Sequence, residues 1–242
     1  MLRALRAELP HEHFVYFADT AHAPYGERDE SHVVERTLHV VQELLRKDRI
    51  KALVVACNTA TAAAIRHVRE AHPRLPVVGV EPALKPAVMA SRTRRIGVLA
   101  TRGTLASAKF RALHDSLFGQ ASFILQPCDG LAEAIESGDD TRTAQLCEAY
   151  MQPLGPLGAR DGDTDTVVLG CTHYPFVRER LQAIAGPSVA IIETGEAVAR
   201  RTRSLLAEWK LLVMDGTPGL RLRSSGPRDA LEAAARRWSG FL

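Results

Sequence analysis

Short apolar runs alternate with longer stretches of helical period from one end of the chain to the other. Runs rich in branched and aromatic residues, bounded by turn-forming positions, predict strands at 13–18, 52–57, 76–80, 95–100, 122–126, 166–170 and 189–193. Between them the helical period takes over. Across 32–45 it sets Val33, Val34, Leu38, Val41, Leu44 and Leu45 on one stripe. The segment 104–117 opens on a capping Thr104 and stops before Gly119, and 174–185 carries Pro175 in its first turn with Gly186 just past its end. Leu2, Leu5 and Leu9, also at helical spacing, end at Pro10, so the chain opens in a helix. The Gly- and Asp-rich segment 155–165 reads as an exposed loop. Such alternation predicts an α/β protein of mostly parallel strands.

Two of these strands end alike. Leu53-Val54-Val55-Ala56-Cys57-Asn58-Thr59 and Val167-Val168-Leu169-Gly170-Cys171-Thr172-His173 align without a gap, as an apolar run, a small residue, a cysteine and two polar side chains. Each run reads as a buried parallel strand that delivers its thiol to the turn before a helix, where open α/β sheets hold their ligands. The strand–helix–strand order after the first box recurs after the second. The repeat divides the chain into two pseudo-symmetric α/β units expected to face a shared cleft. Residues 1–82 with 194–242 carry Cys57, and 83–193 carry Cys171.

Composition narrows the partners. The chain has 242 residues of which 46% are hydrophobic, enough to bury one large core or two modest ones. Its net charge of +3 comes mostly from arginines spread over the whole length, and with aromatics at only 5% no nucleic-acid surface is expected. No apolar run approaches the roughly 20 residues of a membrane span, so no membrane partner is expected. Arg3 and Arg6 interrupt any signal-peptide pattern, which makes the cytoplasm the expected compartment. Four cysteines without a C-x-x-C pair read as reduced thiols. No glycine-rich phosphate loop occurs, so neither a nucleotide nor pyridoxal phosphate is expected. Cys171 and His173 lack a partner pair at zinc spacing, so no metal is expected either.

At a helix amino terminus, unpaired N–H groups and the helix dipole favour a thiolate, which is a usable base. The same N–H groups, with the hydroxyls of Thr59 and Thr172 and the amide of Asn58, suit a carboxylate. A thiol on each side of a small acid suits inversion of a stereocentre, because one thiolate removes a proton from one face while the other thiol delivers one to the opposite face. A single nucleophilic cysteine would leave the second box unexplained.

Six motifs together resemble the glutamate racemase family of cofactor-independent amino-acid racemases. They are Ala18-Asp19-Thr20 with Pro24-Tyr25-Gly26, Ala56-Cys57-Asn58-Thr59-Ala60, Ile96-Gly97-Val98-Leu99-Ala100-Thr101, Ile135-Glu136-Ser137-Gly138, Leu169-Gly170-Cys171-Thr172-His173-Tyr174-Pro175 and Gly195-Glu196-Ala197. The likeness runs the length of the chain. It implies that Cys57 and Cys171 transfer the protons and that Asn58, Thr59 and Thr172 hold the charged groups of glutamate. It further implies that Tyr25 and Gly26 contact the substrate through their backbone, that His173 tunes Cys171 at the substrate's edge, and that Glu136 assists from behind. Asp129, Glu133 and Asp139 are alternative carboxylates for that last role. The implied product is D-glutamate for peptidoglycan, made without a cofactor; homodimer formation is left open.

Family members begin with a strand and an Asp-Ser-Gly turn, whereas Met1-Leu2-Arg3-Ala4-Leu5 resembles the helix that follows it. The expectation is a natural start upstream of Met1, with the acid/base helper of Cys57 on that segment. Cys128 and Cys147 read as small buried hydrophobes, and His22, His39 and His67 as surface or core residues. Asp19 reads as a turn residue capping local backbone. The alternative functions are a racemase of another acidic amino acid such as aspartate, a cysteine hydrolase, and a catalytically silent homologue that only binds.

Overall fold

In the computed structural model, which describes residues 1–239, the chain opens with α1 (Leu2–Glu8), β1 (His13–Ala18), α2 (Glu30–Asp48), β2 (Leu53–Val55), α3 (Asn58–Ala71) and β3 (Val77–Gly79). These elements belong to a first unit, Met1–Val80, which the chain rejoins at Gly195. β2 and β3 pair in parallel, Leu53 against Val77 through Val55 against Gly79. α2 buries Val33, Thr37, Val41 and Leu44, one stripe at helical spacing, in a core shared with Val55, Ile65 and Val68. A Cβ on Gly79 would overlap Ile65 and Thr61, so only glycine lets α3 lie this close to β3. Thr61 uses that proximity. Its hydroxyl donates to the Val55 carbonyl at 3.1 Å and accepts from Val80 N–H at 3.0 Å, tying both strand ends to the helix.

The second unit, Glu81–Thr194, holds α4 (Leu84–Ala90), β4 (Arg95–Ala100), α5 (Arg102–Ala106), α6 (Ala108–Asp115), β5 (Ser122–Pro127), α7 (Leu131–Ser137), α8 (Asp140–Met151), β6 (Thr166–Leu169), α9 (Arg178–Ala185) and β7 (Ala190–Ile192). Its strands form one parallel sheet in the order β5-β4-β6-β7. The inner strands β4 and β6 bury successive residues, Val98-Leu99 and Val167-Val168-Leu169, which is the demand a parallel sheet covered on both faces makes of its sequence. Asp165, just ahead of β6, accepts from Ser91 Oγ at 2.6 Å, Arg92 N–H at 2.7 Å and Thr93 N–H at 3.0 Å. Burial would push this carboxyl up, but those donors hold it below the usual carboxylate range.

The chain re-enters the first unit with α10 (Gly195–Glu208), β8 (Gly219–Ser224) and α11 (Arg228–Ser239). β8 pairs in parallel with β1, His13 against Gly219 through Ala18 against Ser224. Leu5, in the middle of α1, and Leu9, just past its end, pack on Ala199 and Leu206 of α10.

Several predicted elements differ in detail. The helix expected at 104–117 is two helices, because Ser107 takes an extended conformation that ends α5 and then caps α6 by accepting Phe110 N–H at 3.1 Å. The cap of α5 is Thr101, accepting from Thr104 N–H at 3.2 Å, and not Thr104. The stretch 174–185 starts as a 3-10 turn, Tyr174–Val177, before α9. Loop 155–165 is exposed through its middle, yet Thr164 and Asp165 at its end are buried. β8 and α11 were not expected from the pattern. In β8, Leu220 and Leu222 alternate with Arg221 and Arg223, and both arginines pair with Asp48 at the end of α2.

Candidate active site

In the first unit the predicted strand 52–57 stops at Val55, because Cys57 has become the N-cap of α3. Its Sγ accepts from Ala60 N–H at 3.5 Å. The half-buried thiol therefore sits at the amino terminus of α3, at the positive end of the helix dipole. Behind it Asn58 is 5% exposed, and both its Oδ1 and its Nδ2 are buried with no hydrogen-bond partner among the described residues. Leaving such a group unmatched costs about 1–3 kcal/mol, and an amide in this position can both donate to and accept from a polar ligand. Thr59, the next residue, is buried.

Tyr25 and Gly26 lie in the loop between β1 and α2. Tyr25 packs against the same core as Cys57, its carbonyl accepts from Arg28 N–H at 3.1 Å, and Gly26 is buried. The Tyr25 hydroxyl is committed to the Asp19 carboxylate. That carboxylate also receives Arg36 through Nε at 3.1 Å and Nη2 at 2.9 Å, and His22 Nδ1 lies 3.1 Å away. Burial opposes the Asp19 charge, but Arg36 and Tyr25 outweigh it and hold the carboxyl well below its ordinary range. Burial and then Asp19 push the Tyr25 phenol up. Asp19 thus differs from its expected role: its backbone carbonyl closes the local turn to His22 and Ala23 N–H, while its side chain gathers other side chains.

In the second unit Cys171 follows β6 by two residues and is buried. The residue between them must be small. A Cβ on Gly170 would stand 2.8 Å from Ala100 Cβ and 2.9 Å from the Leu99 carbonyl. Because a 3-10 turn follows and not an α-helix, Cys171 lacks the helix amino terminus that Cys57 has. A side-chain chain takes its place. His173 Nδ1 lies 3.6 Å from Cys171 Sγ, and His173 Nε2 lies 2.6 Å from Glu136 Oε1. Burial would drive this imidazole neutral, but its hydrogen bonds to Cys171 and Glu136 prevail and raise its pKa well above the ordinary histidine value. Burial likewise opposes the Glu136 charge, and His173 holds that carboxyl below its usual range. Glu136 stands in the last turn of α7, which Gly138 ends in a left-handed conformation. Thr172 is half-buried in the turn between Cys171 and His173.

The rival carboxylates face other partners, although Asp129 Oδ1 is buried with no hydrogen-bond partner among the described residues. Asp129 pairs with Arg102, Glu133 with Arg142, and Asp139 caps α8 by accepting Arg142 N–H at 2.9 Å. Cys128 and Cys147 are buried, and burial pushes the Cys147 thiol up to about 11 and the Cys128 thiol up as well. His39 and His67 are exposed. Among the described residues no cluster of His, Cys, Asp or Glu could hold a metal ion, and no helix is long and apolar enough to cross a membrane.

Each of two parallel strands is followed by a thiol, and one of these thiols is linked through a histidine to a carboxylate, all groups that can carry a proton. The model of the protein family described as Asp/Glu/Hydantoin racemase matches residues 1–202, and the chain belongs to that family. Glutamate racemases are among its curated relatives; the one from Ectopseudomonas mendocina is 45% identical over 96% of this chain and 87% of its own. Among solved structures, a glutamate racemase isoform from Bacillus anthracis has a TM-score of 0.86 at 30% identity, covering 99% of this chain and 89% of that one. The Escherichia coli glutamate racemase in complex with L-glutamate and the activator UDP-MurNAc-ala has a TM-score of 0.81 at 29% identity, covering 98% and 88%.

Proposed function

We propose that this chain interconverts L- and D-glutamate without a cofactor, with Cys57 and Cys171 exchanging protons with opposite faces of the α-carbon. The observation that carries the reading is the Cys171–His173–Glu136 chain, in which one imidazole lies within hydrogen-bond reach of both a thiol and a carboxylate. When Cys171 is the base, its thiolate takes the α-proton and the Cys57 thiol gives its own to the opposite face. One C–H bond breaks, one forms, and thiol and thiolate change places. The reverse direction swaps the roles.

His173, as an imidazolium held by Glu136, stabilises the Cys171 thiolate, while Cys57 relies on the amino terminus of α3. The orphaned Asn58 amide, the Thr59 and Thr172 hydroxyls and the backbone at Tyr25 and Gly26 hold the substrate's charged groups. The names of the relatives and the L-glutamate in the Escherichia coli structure support glutamate as the substrate. D-Glutamate made in the cytoplasm would feed peptidoglycan synthesis.

Incubating the protein in deuterated water with each enantiomer of glutamate and of aspartate tests this reading, with circular dichroism following inversion and proton NMR following loss of the α-hydrogen signal. Both glutamates racemise and exchange, aspartate does neither, and Cys57→Ser and Cys171→Ser each lose at least roughly a hundredfold in rate. Exchange with aspartate alone overturns the substrate. Full activity in either serine variant overturns the two-thiol mechanism.

A further inference from the structure

The loop between β1 and α2 is held from three directions by one carboxylate. We propose that Asp19, clamped by Arg36, is a positioning residue of the substrate site: it locks the Tyr25–Gly26 segment by taking up the Tyr25 hydroxyl, so that the segment meets substrate with its backbone. This inference rests on the reading of Tyr25 and Gly26 as substrate contacts.

Asp19 directly follows β1, whose last pair, Ala18 with Ser224, anchors its backbone to β8. Arg36 reaches it from α2 with both carboxylate oxygens engaged, a fork-on-fork geometry that fixes orientation as well as distance. The side chains are only 10% and 16% exposed, for Asp19 and Arg36 respectively. Buried ion pairs of this kind add little net stability over an apolar filling, and their best-attested use is to specify one arrangement. The arrangement specified here is the loop. Tyr25 is drawn back by its hydroxyl, His22 by its imidazole, and the near end of the loop is tied to the end of β8 through Thr20 Oγ1 with Ser224 Oγ at 2.7 Å and Ala21 N–H donating to Ser225 Oγ at 3.1 Å. Both ends of residues 20–25 are thereby pinned, and Gly26 follows directly. None of these bonds touches Cys171, His173 or Glu136, so the clamp acts on binding geometry and not on that proton relay.

The test is kcat and KM for both glutamate enantiomers in the wild type, Tyr25→Phe, Arg36→Lys, Asp19→Asn and the Asp19→Asn/Tyr25→Phe double variant. Losing one hydrogen bond to a buried charged group raises KM about tenfold in Tyr25→Phe and Arg36→Lys, while kcat falls less than about threefold. The losses of Asp19→Asn and Tyr25→Phe are less than additive in the double variant, because Asp19→Asn has already replaced the charged acceptor of the hydroxyl by a weaker, neutral one. Tyr25→Phe keeps the ring and Arg36→Lys keeps the charge, so these two decide the matter if Asp19→Asn does not fold. A KM unchanged in both, or a loss confined to kcat, overturns the proposal while leaving an active wild type as support for the glutamate reading. A folded wild type inactive on glutamate overturns the reading beneath it instead.

Discussion

Replacing Glu136 with glutamine tests the proton relay proposed for the second unit while preserving its shape. The amide can still meet His173 Nε2, which now lies 2.6 Å from the carboxylate, but the negative charge that favours imidazolium is gone. A hydrogen bond to a charged partner is worth about 1.5–3 kcal/mol when buried. The Glu136 side chain is 42% exposed and that of His173 31%, so solvent screening brings the expected loss to about 1–2 kcal/mol, or roughly five- to thirtyfold in kcat/KM.

Direction follows from the same contact. Glu136 helps to raise the His173 pKa, so its removal lowers it, and the alkaline limb of the rate profile moves to lower pH. Because the enantiomers are equal in free energy, kcat/KM falls by one factor in both directions. The asymmetry appears in the isotope effects with α-deuterated substrate. The primary effect grows for the enantiomer that Cys171 deprotonates and shrinks for the other, since the Cys171 step has become the slow one in each direction. Initial rates by circular dichroism across pH, with both deuterated enantiomers, measure all three outcomes. A Glu136→Gln enzyme within twofold of wild type and with an unmoved alkaline limb would refute the relay.

Gly170→Ala forces a methyl against Ala100 and the Leu99 carbonyl between β6 and β4, and costs about 1–3 kcal/mol of stability, read as a lower urea midpoint at unchanged slope, together with lost activity as Cys171 is displaced. Asp165→Asn weakens the bonds to Ser91, Arg92 and Thr93 and costs a similar 1–3 kcal/mol or so near neutrality. Because the folded Asp165 pKa is depressed, its stabilisation is present above the unfolded value of about 3.9 and is lost as pH falls through the folded value. The variant's urea midpoint therefore declines less steeply than the wild type's in that acid window; identical slopes would refute the assignment. Iodoacetamide at near-neutral pH alkylates Cys57 while Cys128 and Cys147 stay unmodified by peptide mass spectrometry, and equal labelling of all three in the folded protein would contradict their burial.

Much of this protein is legible along the chain because period and punctuation are local properties. The apolar run of β6 announces a strand buried on both faces, and the stripe on α2 announces which side packs. The second cysteine box is legible for the same reason: a small residue must precede its turn, and at Gly170 the 2.8 Å approach of Ala100 shows why. Local patterns also miss what a single side chain does to the backbone. Ser107 breaks a run whose apolar spacing is unbroken, and the Leu-Arg alternation of β8 makes sense once Asp48 is seen to meet both arginines.

The partners of the charged groups belong to a different category. Resemblance named Glu136 among four nearby carboxylates, but folding separates them, because the placing of α7 beside the turn after β6 brings one within 2.6 Å of His173 and leaves the others to arginines and a helix cap. Asp19 and Arg36 stand seventeen positions apart, with nothing in their spacing to join them. Hydrophobic periodicity is written residue by residue, since each residue carries its own free energy of transfer from water. A hydrogen bond between distant side chains depends on where two elements come to rest, and that is set by the packing of the whole unit.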